Sequence, residues 1–289
     1  MLIVKQASQD VGDKVQELEA EGRKAVRKAS PWIVRLGRIG LVAKGLVYVI
    51  LGWLAVQTAF YHQGGLTDQR GALESVLRQP FGAVLLGVMC FGLFAYMVWR
   101  IVQALFNPER EPQTFGGWSK RVFRFGSGII YGGLGVAAAR LLVGMQANRR
   151  TPSDWTAMVM RWPLGKWLVV AAGLGIIGFG MFRIYKAWQG ELKKQLVLDD
   201  YAARARGWIT GIGRFGQAAR GVVFIVMGAF AFFAGLHTNP DEAKGIAEAL
   251  EFIERAPYGP YLLGAVAAGL IAYGLFQFVE ARYRRISAA

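Results

Sequence analysis

Residues 45–61 read GLVYVILGWLAVQTAFY, and the architecture of the whole chain can be inferred from this segment. It contains no charged residue, and Gly45, Tyr48 and Gly52 are spaced three and four residues apart. Residues at these spacings lie along one face of a single α-helix. A helix needs about 20 apolar residues to cross a bilayer, so the stretch predicts most of a transmembrane helix.

The same stripe of small and aromatic residues occurs twice more, 83 and 176 positions later. This regular recurrence indicates an internal repeat. Because small residues let helix backbones approach closely in a membrane, we expect the stripe to pack helices together. A lining for a lipid or another apolar ligand is the alternative. The stripe consists of Gly45, Tyr48 and Gly52, then Gly128, Tyr131 and Gly135, then Gly221, Phe224 and Gly228.

The composition is that of a membrane protein: 54% of the 289 residues are hydrophobic, 18% are charged, and the mean hydropathy is +0.32. Six apolar segments are long enough to span once flanking Arg and Lys side chains extend to the headgroups. We therefore predict an all-α polytopic membrane protein whose six transmembrane helices form three tandem two-helix repeats with pseudo-threefold symmetry. The predicted spans are residues 39–61, 82–106, 122–145, 164–188, 215–237 and 258–280.

The predicted domains are one N-terminal helix and the three repeats. The N-terminal helix is amphipathic, with a thin apolar stripe, an acidic first half and a basic second half. This pattern favours a cytoplasmic or interfacial helix. A coiled coil that binds another membrane or peripheral protein is the alternative. The N-terminal helix covers residues 1–34, and the repeats cover 35–108, 118–192 and 208–289, the last with a short basic C-terminal tail.

The net charge of +15 follows the sides of the membrane and does not indicate nucleic-acid binding. Of the 34 Lys and Arg residues, 25 fall on the side that holds both termini and nine on the other. An excess of Lys and Arg marks the cytoplasmic side of a membrane protein. We therefore expect a multi-pass protein of the bacterial cytoplasmic (inner) membrane, with both termini in the cytoplasm. Its basic face is expected to contact the anionic headgroups of membrane lipids.

Two sets of arginines recur with the repeat and are candidates for binding lipid headgroups or tethering loops. The first set precedes the first helix of each repeat on the expected cytoplasmic side. The second set stands two residues before a proline on the outer side, where the positive-inside rule does not explain it. We expect the second set to tie short surface helices to loop carbonyls or lipid phosphates. The sets are Arg38, Arg121 and Arg214, and Arg78, Arg161 and Arg255. A third set, Arg100 and Arg183, closes the second helices of repeats 1 and 2 on the cytoplasmic side, as the positive-inside rule predicts.

Few residues suggest catalysis or metal binding. His62 and His237 lie near the outer ends of two spans, but two ligands alone make a poor metal site. The single cysteine, Cys90, excludes an intrachain disulfide. The sequence has no phosphate-binding loop, nucleophile elbow or mid-membrane carboxylate pair. We expect no enzyme activity and no cofactor.

The repeat unit resembles a known family. It combines Gly-x-x-Tyr/Phe-x-x-x-Gly, a capped surface helix, Arg-x-Pro-aromatic-Gly and a closing aromatic-Arg pair. Over about residues 35–285 this pattern is similar to the bacterial membrane family called domain of unknown function 1206. The resemblance implies three tandem two-helix units and supplies neither an activity nor site residues. Repeat 2 departs from the pattern at Phe123, where the other repeats have Gly40 and Gly216, and at Leu164.

Two classes of function fit these observations. The favoured one is a non-catalytic membrane protein, either an accessory or scaffold subunit or a lipid-associated module. The alternative is a transporter or channel for a small solute or lipid, with a path along the repeat axis. Transport of a polar solute calls for ionisable residues facing a cavity. The candidates within the spans are all expected near helix ends: Lys44, Arg140, Lys186, Arg220 and Glu280. If the stripes meet at the axis, the centre is closed. A wide central cavity lined by Lys44 and Arg220 would instead favour a transporter of anions.

Overall fold

A computed structural model describes residues 30–61, 65–107, 114–145, 151–189 and 206–283. Over these ranges the chain is helical and contains no β-strand. The predicted amphipathic helix over residues 1–34 lies almost wholly outside the described residues, and so does His62.

In the described ranges, each repeat consists of a long, a short and a second long α-helix. Every long helix has the length and apolar composition to cross a membrane. The predicted all-α membrane fold of three tandem units is therefore confirmed. The long helices are α1 (Ser30–Tyr61), α3 (Gly82–Phe106), α4 (Phe115–Leu142), α6 (Gly165–Gln189), α7 (Arg206–His237) and α9 (Gly259–Tyr283), and the short ones are α2 (Gln69–Leu77), α5 (Pro152–Met160) and α8 (Ile246–Glu254).

Helices α1 and α7 begin nine residues before the predicted spans, at Ser30 and Arg206. An apolar run marks the part of a helix that lies in hydrocarbon, whereas backbone hydrogen bonds continue the helix through polar interfacial residues. Lys44 and Arg220 are each the fifteenth residue of their helix. The expectation that they lie near helix ends is therefore wrong.

The short helices are capped at their first turns by nearby side chains. Asp68 accepts a hydrogen bond from the backbone N–H of Gly71 at 2.9 Å. In repeat 2, Thr151 accepts from the N–H of Asp154 at 3.3 Å, and the Asp154 carboxylate accepts from the N–H of Thr151 at 2.7 Å. These bonds satisfy N–H groups that have no partner within the helix and so fix where α2 and α5 begin.

A glycine begins the second long helix of each repeat, where it meets the end of the short helix. A Cβ atom there would lie between 1.6 and 2.3 Å from a backbone carbonyl oxygen, a distance that no side chain tolerates. Glycine therefore allows this tight junction. The three pairs are Gly82 with Val76, Gly165 with Val159 and Gly259 with Glu254.

The six long helices form a ring in the order α1, α3, α4, α6, α7, α9, with α9 packed back against α1. The most extensive packing joins different repeats, in the pairs α6 with α7, α9 with α1, and α3 with α4. Packing within a repeat is weaker, and α4 and α6 of repeat 2 barely touch. The interface between α4 and α6 is therefore the weak join of the ring, where two neighbouring helices pack least.

The glycine stripe lies in the joints between repeats. A Cβ atom on Gly52 would lie 2.8 Å from the carbonyl oxygen of Ala267 in α9, and one on Gly228 would lie 2.9 Å from that of Gly173 in α6. Gly135 is less crowded, 3.3 Å from a ring of α3. The glycines therefore face the preceding repeat and do not meet at the axis, because helical spacing identifies a shared face but not its neighbour. The remaining members, Gly45, Gly128 and Gly221, face α9, α3 and α6 in the same way.

The weak join follows from one substitution between repeats. In repeat 1, a Cβ on Gly40 would lie 2.6 Å from the Cα of Tyr96, and in repeat 3 one on Gly216 would lie 2.4 Å from the backbone nitrogen of Tyr273. Glycine thus lets the two long helices of those repeats touch. Repeat 2 has Phe123 at the equivalent position, and its ring prevents the same approach.

Between α4 and α6 the aromatic rings of Phe123 and Phe179 stack, with centroids 5.2 Å apart. Nearby, a Cβ atom on Gly175 would meet nothing within 4 Å. Its counterpart in repeat 1, Gly92, is packed so tightly that a Cβ would lie 2.5 Å from the Cβ of Ala43. We call the gap lined by Phe123, Gly175 and Phe179 the seam.

Candidate functional site

Positively charged side chains occupy equivalent positions of the repeats inside the ring. Arg183 is 83 positions after Arg100, and Arg220 is 176 positions after Lys44. We call these four residues the cation layer. The full set of equivalent positions is Lys44, Ser127 and Arg220 on the first long helices and Arg100, Arg183 and Gln277 on the second.

Inside the ring of helices, aromatic side chains pack together one helical turn away from the cation layer. Tyr48 and Tyr273 meet edge to face with centroids 4.8 Å apart, and so do Tyr96 and Tyr131. The hydroxyls of Tyr48 and Tyr131 are 3.4 Å apart. Rings from four helices therefore interlock there. We call the equivalent residues Tyr48, Tyr131, Phe224, Tyr96, Phe179 and Tyr273 the aromatic layer.

Lys44 is held by these rings. Its side chain is 4% exposed, and its ammonium lies between 5.1 and 5.5 Å from the ring centroids of Tyr96, Tyr131 and Tyr273. Attraction between a cation and an aromatic face is strongest when both are removed from water. The aromatic layer therefore offsets part of the cost of burying this charge.

The hydroxyl of Tyr96 accepts hydrogen bonds from two members of the cation layer. Arg100 Nε donates to it at 2.8 Å and Lys44 Nζ at 3.4 Å. Arg100 also donates to the side-chain oxygen of Gln103 at 3.1 Å. Bonds between a charged donor and an oxygen are about twice as strong as neutral ones, so Tyr96 anchors the cations of repeat 1.

Arg220 is hydrogen-bonded to a tyrosine of its own repeat. It donates to the hydroxyl of Tyr273 at 2.8 Å and lies 5.2 Å or less from the rings of Tyr48, Phe224 and Tyr273. Its buried Nε has no hydrogen-bond partner among the described residues. The guanidinium is therefore only partly satisfied.

Arg183 lacks the partner that its counterpart in repeat 1 has. Arg100 donates to Tyr96 four residues earlier, but the residue four before Arg183 is Phe179, which has no hydroxyl. Arg183 instead lies 5.3 Å from the Phe179 ring, and its buried Nε has no hydrogen-bond partner in the described part of the chain. The absence of the Tyr hydroxyl in repeat 2 thus leaves the Nε of Arg183 without an acceptor among the described residues.

The carboxylate nearest these cations belongs to Glu280. It is 8% exposed, accepts from Gln277 at 2.7 Å, and interacts electrostatically with Arg100 and Arg183. Arg183 and Arg220 also interact electrostatically, and this interaction is repulsive. The four positive charges of the cation layer lie in surroundings where like charges repel strongly, and Glu280 offsets the charge of two of them, Arg100 and Arg183.

A short helix also contacts the aromatic layer. Gln69, the first residue of α2, donates from its side-chain amide to the hydroxyl of Tyr48 at 3.2 Å. Helix α2 packs against α1, α3 and α4. The short helix of repeat 1 therefore covers the aromatic layer on the side away from the cations.

The arginines that precede the first long helices have three different environments. Arg121 ties α4 to the end of α3, because its Nε donates to the carbonyl of Ala104 and its terminal nitrogen to that of Leu105, both at 2.8 Å. Arg38 is exposed and lines an apolar groove between α1, α3 and α9. The buried Nε of Arg214 has no hydrogen-bond partner among the described residues.

The arginines of the second set lie at the C-terminal ends of the short helices. Arg78, Arg161 and Arg255 are their C-cap residues, and all three side chains are exposed. Arg255 pairs with Glu251 of its own helix. None of the three side chains bonds a loop carbonyl of the described residues, so contact with lipid phosphate remains the prediction for this set.

Sequence reasoning missed the cation layer although its signal was present. It treated Arg100 and Arg183 as residues that close the second helices, and it placed Lys44 and Arg220 near helix ends. Aligning the repeats puts these four residues at two equivalent positions. Separately, His237 lies 2.7 Å from the carboxylate of Glu242, and no group of three metal-ligand residues occurs within the described ranges.

Comparison with known proteins gives a family. The family model described as Domain of Unknown Function (DUF1206) matches residues 39–107, 124–190 and 215–284. The chain is also similar to "Uncharacterized protein YxxB" of Bacillus subtilis (strain 168), with 30% identity over 264 residues, 91% of this chain and 96% of the relative. No solved structure matches the chain.

Proposed function

The chain belongs to the DUF1206 family, and from this premise we propose that it is a non-catalytic, lipid-associated module that serves as an accessory or scaffold subunit. The interlocked aromatic layer is the observation that carries this proposal. Tyr48, Tyr96, Tyr131 and Tyr273 pack edge to face across the interior of the ring. Closely packed rings leave little room for water.

The polar groups of the interior are arranged for binding rather than for catalysis. The cations are paired with phenol hydroxyls and aromatic faces, and Glu280 is held by Gln277. General acid–base catalysis uses a group positioned within reach of a substrate proton. Tyrosines cover the cation layer on one side, so its fixed positive charge is suited to binding an anionic group.

The proposal includes a location and an orientation. The protein lies in the bacterial cytoplasmic (inner) membrane with both termini in the cytoplasm, as the distribution of Lys and Arg favours. The cation layer then lies in the cytoplasmic half of the membrane. Anionic lipids are partners on that side, and the N-terminal segment is the contact for another membrane or peripheral protein.

The test is a flux measurement on the purified full-length protein in phosphatidylglycerol vesicles. We expect the efflux of chloride and of phosphate to equal that of protein-free vesicles, because the aromatic layer blocks the axis. Flux above this background that is lost in Lys44→Gln would contradict the proposal. A protein control for the assay is the Arg78→Gln variant, whose exposed side chain lies outside the ring.

One observation favours a second candidate, a transporter of anions. Four cations lie inside the ring and the seam leaves one side of it weakly packed. Transporters bind their substrates near the membrane midplane between repeats, often beside charged side chains. In this alternative, opening of the seam would let an anion pass the aromatic layer, and the same flux measurement decides between the two.

A further inference from the structure

Arg183 combines a permanent charge with a lack of acceptors. Its Nε has no hydrogen-bond partner among the described residues, and its one ring contact, with Phe179, supplies no lone pair. Arginine stays protonated in proteins, so the charge cannot be removed by loss of a proton. Desolvated charges are stable when they are paired and hydrogen-bonded. Glu280 interacts with this charge, but the Nε of Arg183 has no hydrogen-bond acceptor among the described residues.

Arg220 has the same need and lies close to Arg183. Its guanidinium donates to Tyr273 at 2.8 Å, its Nε has no partner in the described part of the chain, and it repels Arg183. Both residues are partly exposed, so neither is sealed completely within the ring of helices. Two guanidinium groups can together offer forked donors to a phosphate, which would turn their repulsion into a shared attraction.

The depth of these arginines suits a phosphate at the edge of the hydrocarbon. Arg183 lies six residues before Gln189, the end of α6, and Arg220 lies six residues after Arg214 in α7. At a rise of about 1.5 Å per residue, each is about 9 Å from those positions. Long cationic side chains reach this distance toward the headgroup region.

The seam gives an acyl chain a place beside the arginines. Phe123 is 59% exposed although it stacks on Phe179, and Gly175 has no neighbour that an added Cβ would meet within 4 Å. The surface between α4 and α6 is therefore apolar, and Phe179 links it directly to Arg183. A weakly packed apolar surface beside incompletely hydrogen-bonded cations matches the two parts of an anionic lipid.

We propose that the seam binds one anionic phospholipid, whose phosphate accepts hydrogen bonds from Arg183 and Arg220 and whose acyl chain lies against Phe123 and Gly175. This site deepens the proposed lipid-associated function and rests on it. It is separate from the exposed arginines Arg78 and Arg161, which lie at the opposite end of the repeats. The phosphate group is the recognised chemistry, and a lipid is the occupant because the groove is apolar.

The test is native mass spectrometry of the full-length protein in mild detergent, titrated with phosphatidylglycerol or phosphatidylcholine of the same acyl chains. We expect one phosphatidylglycerol to bind at concentrations where phosphatidylcholine does not. Arg183→Gln should weaken this binding about tenfold, the loss of one charge-assisted contact, and Arg183→Lys should weaken it less. Arg140→Gln, an exposed arginine of the same repeat near the opposite end of α4, should leave it unchanged.

A second variant tests the groove without touching a charge. Phe123→Gly restores the glycine found in repeats 1 and 3, so α4 and α6 should close and exclude the lipid while the arginines remain. Its elution in gel filtration and its melting temperature show whether it is folded. Equal binding of both lipids, or unchanged binding in both Arg183→Gln and a folded Phe123→Gly, would overturn the proposal.

Inorganic phosphate distinguishes a lipid from a free anion. If phosphate alone raises the melting temperature in an Arg183-dependent way and phosphatidylglycerol does not bind, the lipid is the wrong occupant. Vesicle flux is independent of these results. Flux together with selective lipid binding would reject the proposed function and keep this site, whereas absent flux with unselective binding would reject only the site.

Discussion

Single side chains decide which cations of the layer are satisfied. Tyr96 accepts bonds from Arg100 and Lys44, whereas Phe179, its counterpart in repeat 2, offers Arg183 only a ring. The two repeats share the same backbone plan, so the difference is one hydroxyl oxygen. Pseudo-symmetry thus places the charges, and departures from it determine where an outside acceptor is needed.

Removing the hydroxyl of Tyr96 should destabilise the protein. The change Tyr96→Phe keeps the aromatic ring and removes the hydroxyl to which Lys44 and Arg100 both donate, which should cost about 2 kcal/mol. The melting temperature in detergent is the measurement. Tyr261→Phe is the matched control, because Tyr261 is 73% exposed. Equal melting temperatures for the two variants would mean that Tyr96 does not anchor the cations.

Glycines in the long helices differ in how closely a neighbouring helix approaches them. A Cβ on Gly52 would meet the backbone of α9, which cannot move aside, whereas one on Gly133 would meet nothing within 4 Å. Replacing glycine by a larger residue is therefore expected to affect stability differently at these two positions, although both lie in long helices. Crowding depends on the neighbouring helix and not on helix propensity alone.

The substitution Gly52→Ala should destabilise the joint between α1 and α9 by about 1–3 kcal/mol through overpacking. Gly133→Ala should be neutral or stabilising by up to about 1 kcal/mol, because alanine favours the helix over glycine. Thermal unfolding in the same detergent compares them. A loss of stability of the same size at both positions would remove the packing argument.

The sequence predicts the helices and repeats well and their neighbours poorly. Spacing of Gly45, Tyr48 and Gly52 identifies a shared face, but nothing local to α1 says that this face meets α9. Phe123 is visible as a departure from the repeat, whereas its effect depends on how closely Gly40 and Gly216 approach the opposite helix. Contacts between distant segments are set by the three-dimensional arrangement, which periodicity does not encode.

The proposed orientation of the ring in the membrane can be tested by labelling. If both termini are cytoplasmic, the ends of the short helices face outward. In a Cys90→Ser background, Arg78→Cys should react with an impermeant thiol reagent added to intact cells, because residue 78 is exposed beyond α2. Arg282→Cys, exposed near the end of α9, should react only after the membrane is opened. The reverse pattern would invert the orientation.

The weak join between α4 and α6 should tolerate a break in the chain. Among the described helices, extensive contacts between residues 30–145 and residues 151–283 are those of α1 with α9. Two fragments, 1–147 and 148–289, should therefore associate when they are expressed together, and copurification through a tag on one fragment measures this. Adding Gly52→Leu should separate them, whereas Gly133→Leu should not. If the fragments never associate, the contacts between α4 and α6 at the seam contribute more to holding the protein together than their packing indicates.

The packing of α9 against α1 also bears on synthesis. Helix α1 is made first, yet the helix that covers Gly45 and Gly52 is the last one translated. At about 5–20 residues per second, α1 waits on the order of ten seconds or more in the bilayer before α9 emerges from the ribosome. During this interval its glycine face is open to wrong partners and to membrane proteases. A chain that stops before Gly259 leaves that face uncovered, so we expect such a truncated chain to be degraded faster than the full-length protein.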